Sequence, residues 1–445
     1  MDDYRLIADR LAADIGEGRL RPGDRLPPQR RFAREHGIAP STATRVYSEL
    51  VRRGLAVGEV GRGTFIRAAS PPADPALADP AAAPIDLELN FPLLPQQAEL
   101  LAKSLSGLLR PEALGEGLRP TTPSGTAVVR ETSAAALARG GWTPDPGKLL
   151  FAGNGRQAIA ATFSALAGIG ERVAVEALTY PVVKAIATRL GITLVPIEVD
   201  ADGMVPEAVR AAHRISPLRA VYVQPAVQNP LGLTMSAGRR QALAEVLTEL
   251  DVPAIEDGIN GFLRDDLPPL LALASEQVIL VDSLSKRLAP GMSLGFVVPP
   301  DRFADRIAAA LRSGGWTALR FGMEVATRCM ADGTLAEIEA AKRLDALARQ
   351  ELRAECLAEF SVRADPRSFH CWWDLPEQWR AETFVAAAAR RGIAVSPAAA
   401  FTVGAGHAPS AVRLALSGPP PAQLKAALDQ LAALARGTAE DAGTE

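Results

Sequence analysis

Residues 70–84 read SPPADPALADPAAAP, with five prolines and alanine as most of the rest. Proline fixes φ and lacks an N–H, so such a run feeds neither a helix nor a sheet ladder. It therefore divides the 445-residue chain into a short piece and a long piece that must each bury a core of their own. The expected boundaries are a first domain at 1–68, a semi-extended linker at 69–84 and a second domain at 85–445. Charge divides at the same place. Residues 1–67 hold 13 Arg, no Lys and nine acids, a balance of +4; the whole chain carries −3, which leaves −7 for the remainder. A basic small end on an acidic large end assigns contact with a polyanion to the small end alone.

The rest of the composition excludes several classes. Hydrophobic residues at 48% and charged residues at 22% are the balance of a globular chain. No apolar run reaches the ~18 residues of a bilayer span, and the opening MDDYRLIADR has no apolar stretch of the kind a secretory leader needs. Cys329, Cys356 and Cys371 show no CxxC spacing and no histidine partner, so reduced thiols and no metal site are expected. The expected location is the cytoplasm.

The short piece carries three helical patterns and a hairpin. Tyr4, Ile7, Ala8, Leu11 and Ile15 share one face of a helix that Gly16 ends. Pro28–His36 reads as a short second helix closed by Gly37. A third helix is expected with Ser41 as its cap and Val46, Leu50 and Val51 turned inward. Leu55–Val60 and Thr64–Arg67 then read as two strands around Gly61-Arg62-Gly63. Two helices on a short turn followed by a hairpin make a winged helix-turn-helix. Its third helix would offer Ser41, Thr42, Thr44 and Arg45 to a major groove, a guanidinium for guanine edges and hydroxyls for bases or phosphates. Arg25, Arg30 and Arg31 would clamp phosphates, and Arg62, flanked by glycines, would reach a minor groove or the backbone.

After the linker, apolar strands alternate with helices: Val173–Glu176, Leu194–Glu198, Ala220–Gln224, Ala254–Glu256, Val278–Asp282 and Leu294–Val298. Continuous apolar strands imply a largely parallel sheet covered on both faces. From about 345 to 437 a smaller α+β part follows a large part at about 120–340. Of six lysines, only Lys286 directly follows such a strand, in VDSLSKRLAPG beside Ser283 and Ser285. A desolvated lysine there suits imine formation with an aldehyde cofactor. Asp257 ends another strand in AIEDG, where a carboxylate can pair with a protonated pyridine nitrogen. Asn229, in Gln228-Asn229-Pro230-Leu231-Gly232, puts an amide at the sheet's mouth. Asn154, Gly155 and Arg156 open a helix after a short strand, a place where backbone amides cradle phosphate. Their glycine pattern is not the Rossmann fingerprint, which argues against a dinucleotide. Tyr180 in EALTYP stands where a ring can stack. All these positions lie at carboxyl ends of strands, where open α/β sheets gather ligands.

These residues carry two resemblances. The stretch from Tyr4 to Ile66, with its G-D-R-L-P run, S-x-x-T helix start and G-R-G-T-F wing, resembles the GntR-type winged helix. The order Asn154-Gly155, Tyr180, Asn229, Asp257, Lys286 across 85–435 resembles the fold-type I aminotransferases. Joined by a linker, the two resemble the MocR-type regulators. The resemblance implies a multi-domain chain: a winged helix-turn-helix and an α/β aminotransferase-like domain with a smaller C-terminal α+β part. It makes Lys286 the Schiff-base lysine of pyridoxal 5′-phosphate and Asp257 the partner of the ring nitrogen. Asn229 becomes a contact of the ring hydroxyl and Tyr180 the stacking residue. Asn154, Gly155, Arg156, Ser283 and Ser285 become phosphate-side groups, and Arg413 in AVRLALSG the grip on an effector's carboxylate. DNA contacts fall on Arg25, Arg30, Ser41, Thr42, Thr44, Arg45, Arg62 and Gly63. A homodimer on a two-half-site DNA operator, responding to a small amine or amino acid, is expected.

Four positions depart from those patterns. The tyrosine expected near the ring hydroxyl is Asn260, and the arginine expected at the phosphate is Ser293. The segment RPTTPSG lacks the tyrosine that a partner subunit would lend, and Thr42 stands where an arginine often follows the recognition serine. Losing one charge-assisted phosphate contact weakens binding by ~1.5–3 kcal/mol, with Arg156, Arg287 and Arg119 as candidates to compensate. Weakened cofactor binding and little or no transaminase turnover are therefore expected of a sensor. A working aminotransferase with an autoregulatory DNA-binding domain, and a regulator that has lost the cofactor and senses another ligand, remain as alternatives.

Overall fold

The computed structural model describes residues 4–16, 19, 20, 24, 26–52, 55–59, 63–66, 83–404 and 408–437. The chain divides into two units, Met1–Ala78 and Asp79–Glu445. The linker over 69–82, Arg25, Gly61 and Arg62 lie outside the described residues.

In the first unit, helices Tyr4–Gly16, Gln29–Glu35 and Pro40–Arg52 precede the antiparallel pair Ala56–Glu59 and Gly63–Ile66. Ala43, Val46, Tyr47 and Leu50 recur at helical spacing and are buried with Ala8, Leu11 and Phe32. The Tyr47 hydroxyl donates to the carbonyl of Pro27 at 2.6 Å, tying the third helix to the chain before the second. Gly37, at φ +64°, takes the left-handed turn between those helices. Two expectations fail. The third helix starts at Pro40, so Ser41 lies inside its first turn and caps nothing; the carbonyl of Ala39 receives the N–H groups of Thr42 and Ala43. Val51 is 46% exposed, because the stripe through Ala43, Val46 and Leu50 leaves it about a quarter-turn off the core.

The second unit is built on a seven-stranded sheet in the order 150–152, 295–298, 278–283, 254–257, 220–223, 172–176, 193–197. Every pairing is parallel except those of Gly295–Val298, which is antiparallel to both neighbours. Successive strand residues alternate between two cores. Val278 and Leu280 face one, with helix Ala237–Glu249; Ile279 and Val281 face the other, with helices Gly155–Leu166 and Asp301–Ser313. Covering both faces is why these strands read as apolar throughout.

A five-stranded sheet forms the smaller part, in the order 362–363, 370–374, 411–415, 393–397, 85–87. Trp373, Trp379 and Phe384 fill its core against helices Ala381–Arg390 and Pro421–Arg436. Its edge strand Ile85–Leu87 pairs in parallel with Ile393–Val395, so the smaller part begins some 260 residues before 345 and is not purely C-terminal. Helix Thr334–Cys356 reaches from one part to the other. No helix among the described residues is long and apolar enough to cross a membrane.

The antiparallel strand presses on the start of helix Gly155–Leu166. A Cβ at Gly295 would stand 2.4 Å from the carbonyl oxygen of Asn154. Gly295→Ala is expected to lower stability by about 1–3 kcal/mol, read as a lowered denaturation midpoint; an unchanged midpoint would show that the helix start yields freely.

Candidate functional site

The carboxyl ends of strands 172–176, 220–223, 254–257 and 278–283 bring most of the singled-out residues together. Strand Val278–Ser283 ends in Ser283, whose hydroxyl accepts the N–H of Ser285 at 3.0 Å and starts the four-residue helix Leu284–Arg287. Lys286 projects from that turn and donates to Oδ1 of Asn260 at 3.2 Å. Loss of hydration lowers its amine to about 8, against the attraction of Asp257 and with further lowering from Arg413 and Arg156. Asn260 is held in turn by its own donation to the Val227 carbonyl at 2.7 Å.

Asp257 is buried at the end of the neighbouring strand. Its Oδ2 accepts from the Tyr222 hydroxyl at 2.6 Å and from Nε2 of Gln224 at 2.8 Å, and its Oδ1 from the N–H of Ile259 at 3.1 Å. Burial pushes this carboxyl up, opposed by those hydrogen bonds and by Lys286.

On the other side of Lys286, Asn154 caps helix Gly155–Leu166 by accepting the N–H of Gln157 at 3.0 Å. A Cβ on Gly155 would meet that of Ser283 at 3.0 Å, so the helix start and the serine turn are closely apposed. The hydroxyls of Ser283, Ser285 and Ser293 close a ring with edges of 2.8, 3.0 and 2.6 Å. Ser293 thus fills the expected arginine's place with a neutral group satisfied by its neighbours. Arg287 is no substitute: its guanidinium is committed to Asp282 at 2.8 Å and Glu339 at 2.8 Å. Arg119 is exposed and pairs with Glu116. Arg156, on the cradle's first turn, is exposed and forms no ion pair with an acid, and it eases the burial-raised hydroxyl of the half-buried Tyr180.

Arg413 lies buried on strand Ala411–Ala415 of the smaller sheet. It donates to Oδ1 of Asn229 at 3.4 Å, to the Ser396 hydroxyl at 3.0 Å and to the Glu88 carbonyl, and lies over the Phe401 ring at 5.2 Å. Its Nε has no partner. Burial lowers it to about 10, still a cation at neutral pH. Asn229 therefore faces the arginine through its side chain, while its N–H donates to Gln224 at 2.9 Å. His370 adds to this wall. Burial holds its ring neutral, down to about 3, and its Nε2–H donates to the Gln228 carbonyl at 2.9 Å.

The candidate nucleic-acid face lies in the first unit. Ser41, Thr44 and Arg45 are exposed on the third helix and Thr42 is half-buried. Thr44 donates to Gln29 at 2.9 Å, and Arg45 lies over the Tyr4 ring at 5.7 Å. Arg30 is exposed, whereas Arg31 pairs with Glu35 at 2.6 Å. Gly63 opens the second wing strand.

Tyr222, Gln224, His370 and Glu176 were not anticipated. Tyr222 and Gln224 belong to AVYVQ, which reads as an apolar strand; the polar residue closing it was the available signal. Glu176 closes strand Arg172–Glu176 and is wholly buried. Its Oε2 accepts from Gln228 at 3.3 Å, while its Oε1 has no partner. Burial, with a smaller contribution from Asp257, pushes its carboxyl up from 4.5 to about 8. Between those values the unfolded chain gives up this proton while the folded chain keeps it, so stability falls as pH rises through that window. Glu176→Gln removes the ionisation. It is expected to raise the melting temperature by a few degrees at pH 8 and by nothing near pH 4.5; an equal change at both would assign the effect to packing.

The model of aminotransferase class I and II matches residues 84–431, and that of bacterial regulatory proteins of the gntR family matches residues 3–66. The chain is similar to the "Uncharacterized HTH-type transcriptional regulator YdeF" of Bacillus subtilis, 29% identical, over 94% of this chain and 90% of the relative. It is 27% identical to the vitamin B6 salvage pathway transcriptional repressor PtsJ of Salmonella typhimurium, over 90% and 91% of the two chains. The Pyrococcus horikoshii kynurenine aminotransferase structure aligns with a TM-score of 0.71 at 25% identity, over 79% of this chain and 90% of that one. With a winged helix of the gntR family ahead of a fold that implies pyridoxal phosphate binding, the chain belongs to the aminotransferase class I and II family and is a transcription regulator of the MocR type.

Proposed function

We propose that this regulator captures pyridoxal 5′-phosphate at Lys286, and that an amine, an amino acid or the supply of the cofactor itself then changes its hold on operator DNA. The observation that carries the reading is an enclosed amine lowered to about 8, within hydrogen-bond reach of Asn260 and in the field of Asp257. When bound, the cofactor supplies an electrophilic aldehyde carbon on an electron-poor ring. Asp257, oriented by Tyr222 and Gln224, holds a proton at the ring nitrogen. Tyr180 covers the ring, and Asn229 and Asn260 serve its hydroxyl side. Asn154, Gly155, Arg156, Ser283 and Ser285 receive the phosphate. The fit is supported by the apposition of Gly155 and Ser283, where any side chain on the glycine would intrude. Arg413, with its unpartnered Nε, takes an effector's carboxylate.

The hydroxyl ring at Ser293 offers no charge, and of Arg156, Arg287 and Arg119 it is Arg156 that is left for the phosphate. We infer weakened affinity, which suits a chain that responds to the cofactor's supply. An effector acts only by binding one arrangement of the protein better than another. A homodimer is part of the reading. Leu118 and Leu319, 86% and 79% exposed, flank Phe321, which packs on Gly117, and this apolar face is of the kind that a second copy covers. The segment 69–84 serves as the tether between the domains, and the place of action is the cytoplasm, where two winged helices meet two half-sites.

The test is the ultraviolet–visible spectrum of the full chain mixed with the cofactor, beside Lys286→Ala. A shifted imine band is expected in the wild type and none in the variant. Because only a neutral amine attacks the aldehyde, the band should form faster as pH rises through about 8. Free-aldehyde spectra from both proteins would leave the large domain a scaffold for another ligand, and amine transfer to a keto acid would make it a working aminotransferase.

A further inference from the structure

Lys342 is wholly buried on helix Thr334–Cys356, and no part of the reading above uses it. Its ammonium donates to the carbonyl of Lys286 at 2.8 Å and to that of Leu288 at 2.7 Å. Gln97 gives the Leu288 carbonyl a second donor at 2.7 Å. Helix Leu284–Arg287 is a single turn, and the last carbonyls of any helix lack partners within it. Lys342 supplies partners from behind. Burial lowers its amine to about 7, so an apolar side chain of the same length would cost less here. Nor is the ammonium spent on an acid. Glu339, the charged group that acts on it, is taken at 2.8 Å by Arg287.

The same helix is pinned at both ends. Near its start, Glu339 and Lys342 hold the lysine turn, and Arg343 donates to the Phe262 carbonyl at 3.1 Å. Farther on, Arg349 donates to the carbonyls of Leu416 and Pro419, the latter at 2.8 Å. Gln350 donates to the carbonyls of Ser368 and His370, at 2.9 and 3.0 Å. Those acceptors flank the strands that carry Arg413 and His370.

We propose that Lys342 is a positioning residue: by holding the carbonyls of Lys286 and Leu288, it sets where the Lys286 amine stands and ties that placement to the part of the molecule that carries Arg413. The proposal rests on the reading that Lys286 captures pyridoxal phosphate. A lysine whose backbone is released presents its amine off line to the aldehyde, and a misplacement of about 1 Å is enough to cost a large factor.

The test uses the full chain with pyridoxal phosphate and compares the wild type with Lys342→Met and Lys342→Arg. Lys342→Met is expected to melt within a few degrees of the wild type, to bind the cofactor roughly tenfold more weakly, and to show an imine band that titrates at a shifted pH. Lys342→Arg, which can still reach two carbonyls, should recover most of both. Wild-type affinity and an unmoved titration in Lys342→Met overturn the proposal. If that variant does not fold, Lys342→Gln, uncharged and one bond too short to keep both carbonyls, decides by the same two readings. A wild-type chain without any imine band overturns the cofactor reading itself, and this proposal with it.

Discussion

Two acids, Glu256 and Asp282, stand near the ends of adjacent parallel strands, and the buried guanidinium of Arg139 lies between them at 3.3 and 3.6 Å. Arg287 holds both oxygens of Asp282, at 2.8 and 3.3 Å. The candidate site residues Asp257 and Ser283 each come next in the chain, so the pleat turns them the opposite way. An unpaired carboxylate at this depth would cost several kcal/mol, and the paired ones fix how far each strand advances before its functional residue. Gly258 and Gly261 leave room for this: a Cβ on Gly261 would lie 2.2 Å from the Arg139 guanidinium. The site's geometry is thus set one residue behind its chemistry.

That arrangement explains what was legible in the sequence. Lys286 and Asp257 stood out by their joint order with Asn154, Tyr180 and Asn229, since a lone lysine after an apolar run is usually a solvated group and a lone aspartate there is as often a cap. The winged helix was legible for local reasons, down to the stripe through Val46 and Leu50. What escaped depends on distance along the chain. The pairing of Ile85–Leu87 with Ile393–Val395 joins segments about 300 residues apart, and no periodicity reports it. Lys342 sits in a helix whose pattern is amphipathic and unremarked, and only the fold brings it behind Lys286. Errors at helix ends were smaller. A proline at the first position displaced a serine that resembled a cap, and one valine lay just past the buried stripe.

The electrostatics of the site are unusual in one respect. Cations border it at Arg156, Lys286 and Arg413, yet the serine ring carries no charge and is satisfied internally. An anion at the serine ring itself has to displace hydroxyl–hydroxyl hydrogen bonds, and that exchange is close to even. Arg413 differs: it is already wrapped by Asn229, Ser396 and the Glu88 carbonyl and keeps its charge in spite of burial.

The double engagement of Asn229 has a consequence for how signals combine. Its side chain meets Arg413, its N–H meets Gln224, and Gln224 meets Asp257. A carboxylate held by Arg413 and a cation held by Asp257 would act on the same series, and each would then alter the hold on the other by one and the same factor. The amide of one asparagine is where the two ends of that series join, Arg413 on one side and Gln224 with Asp257 on the other.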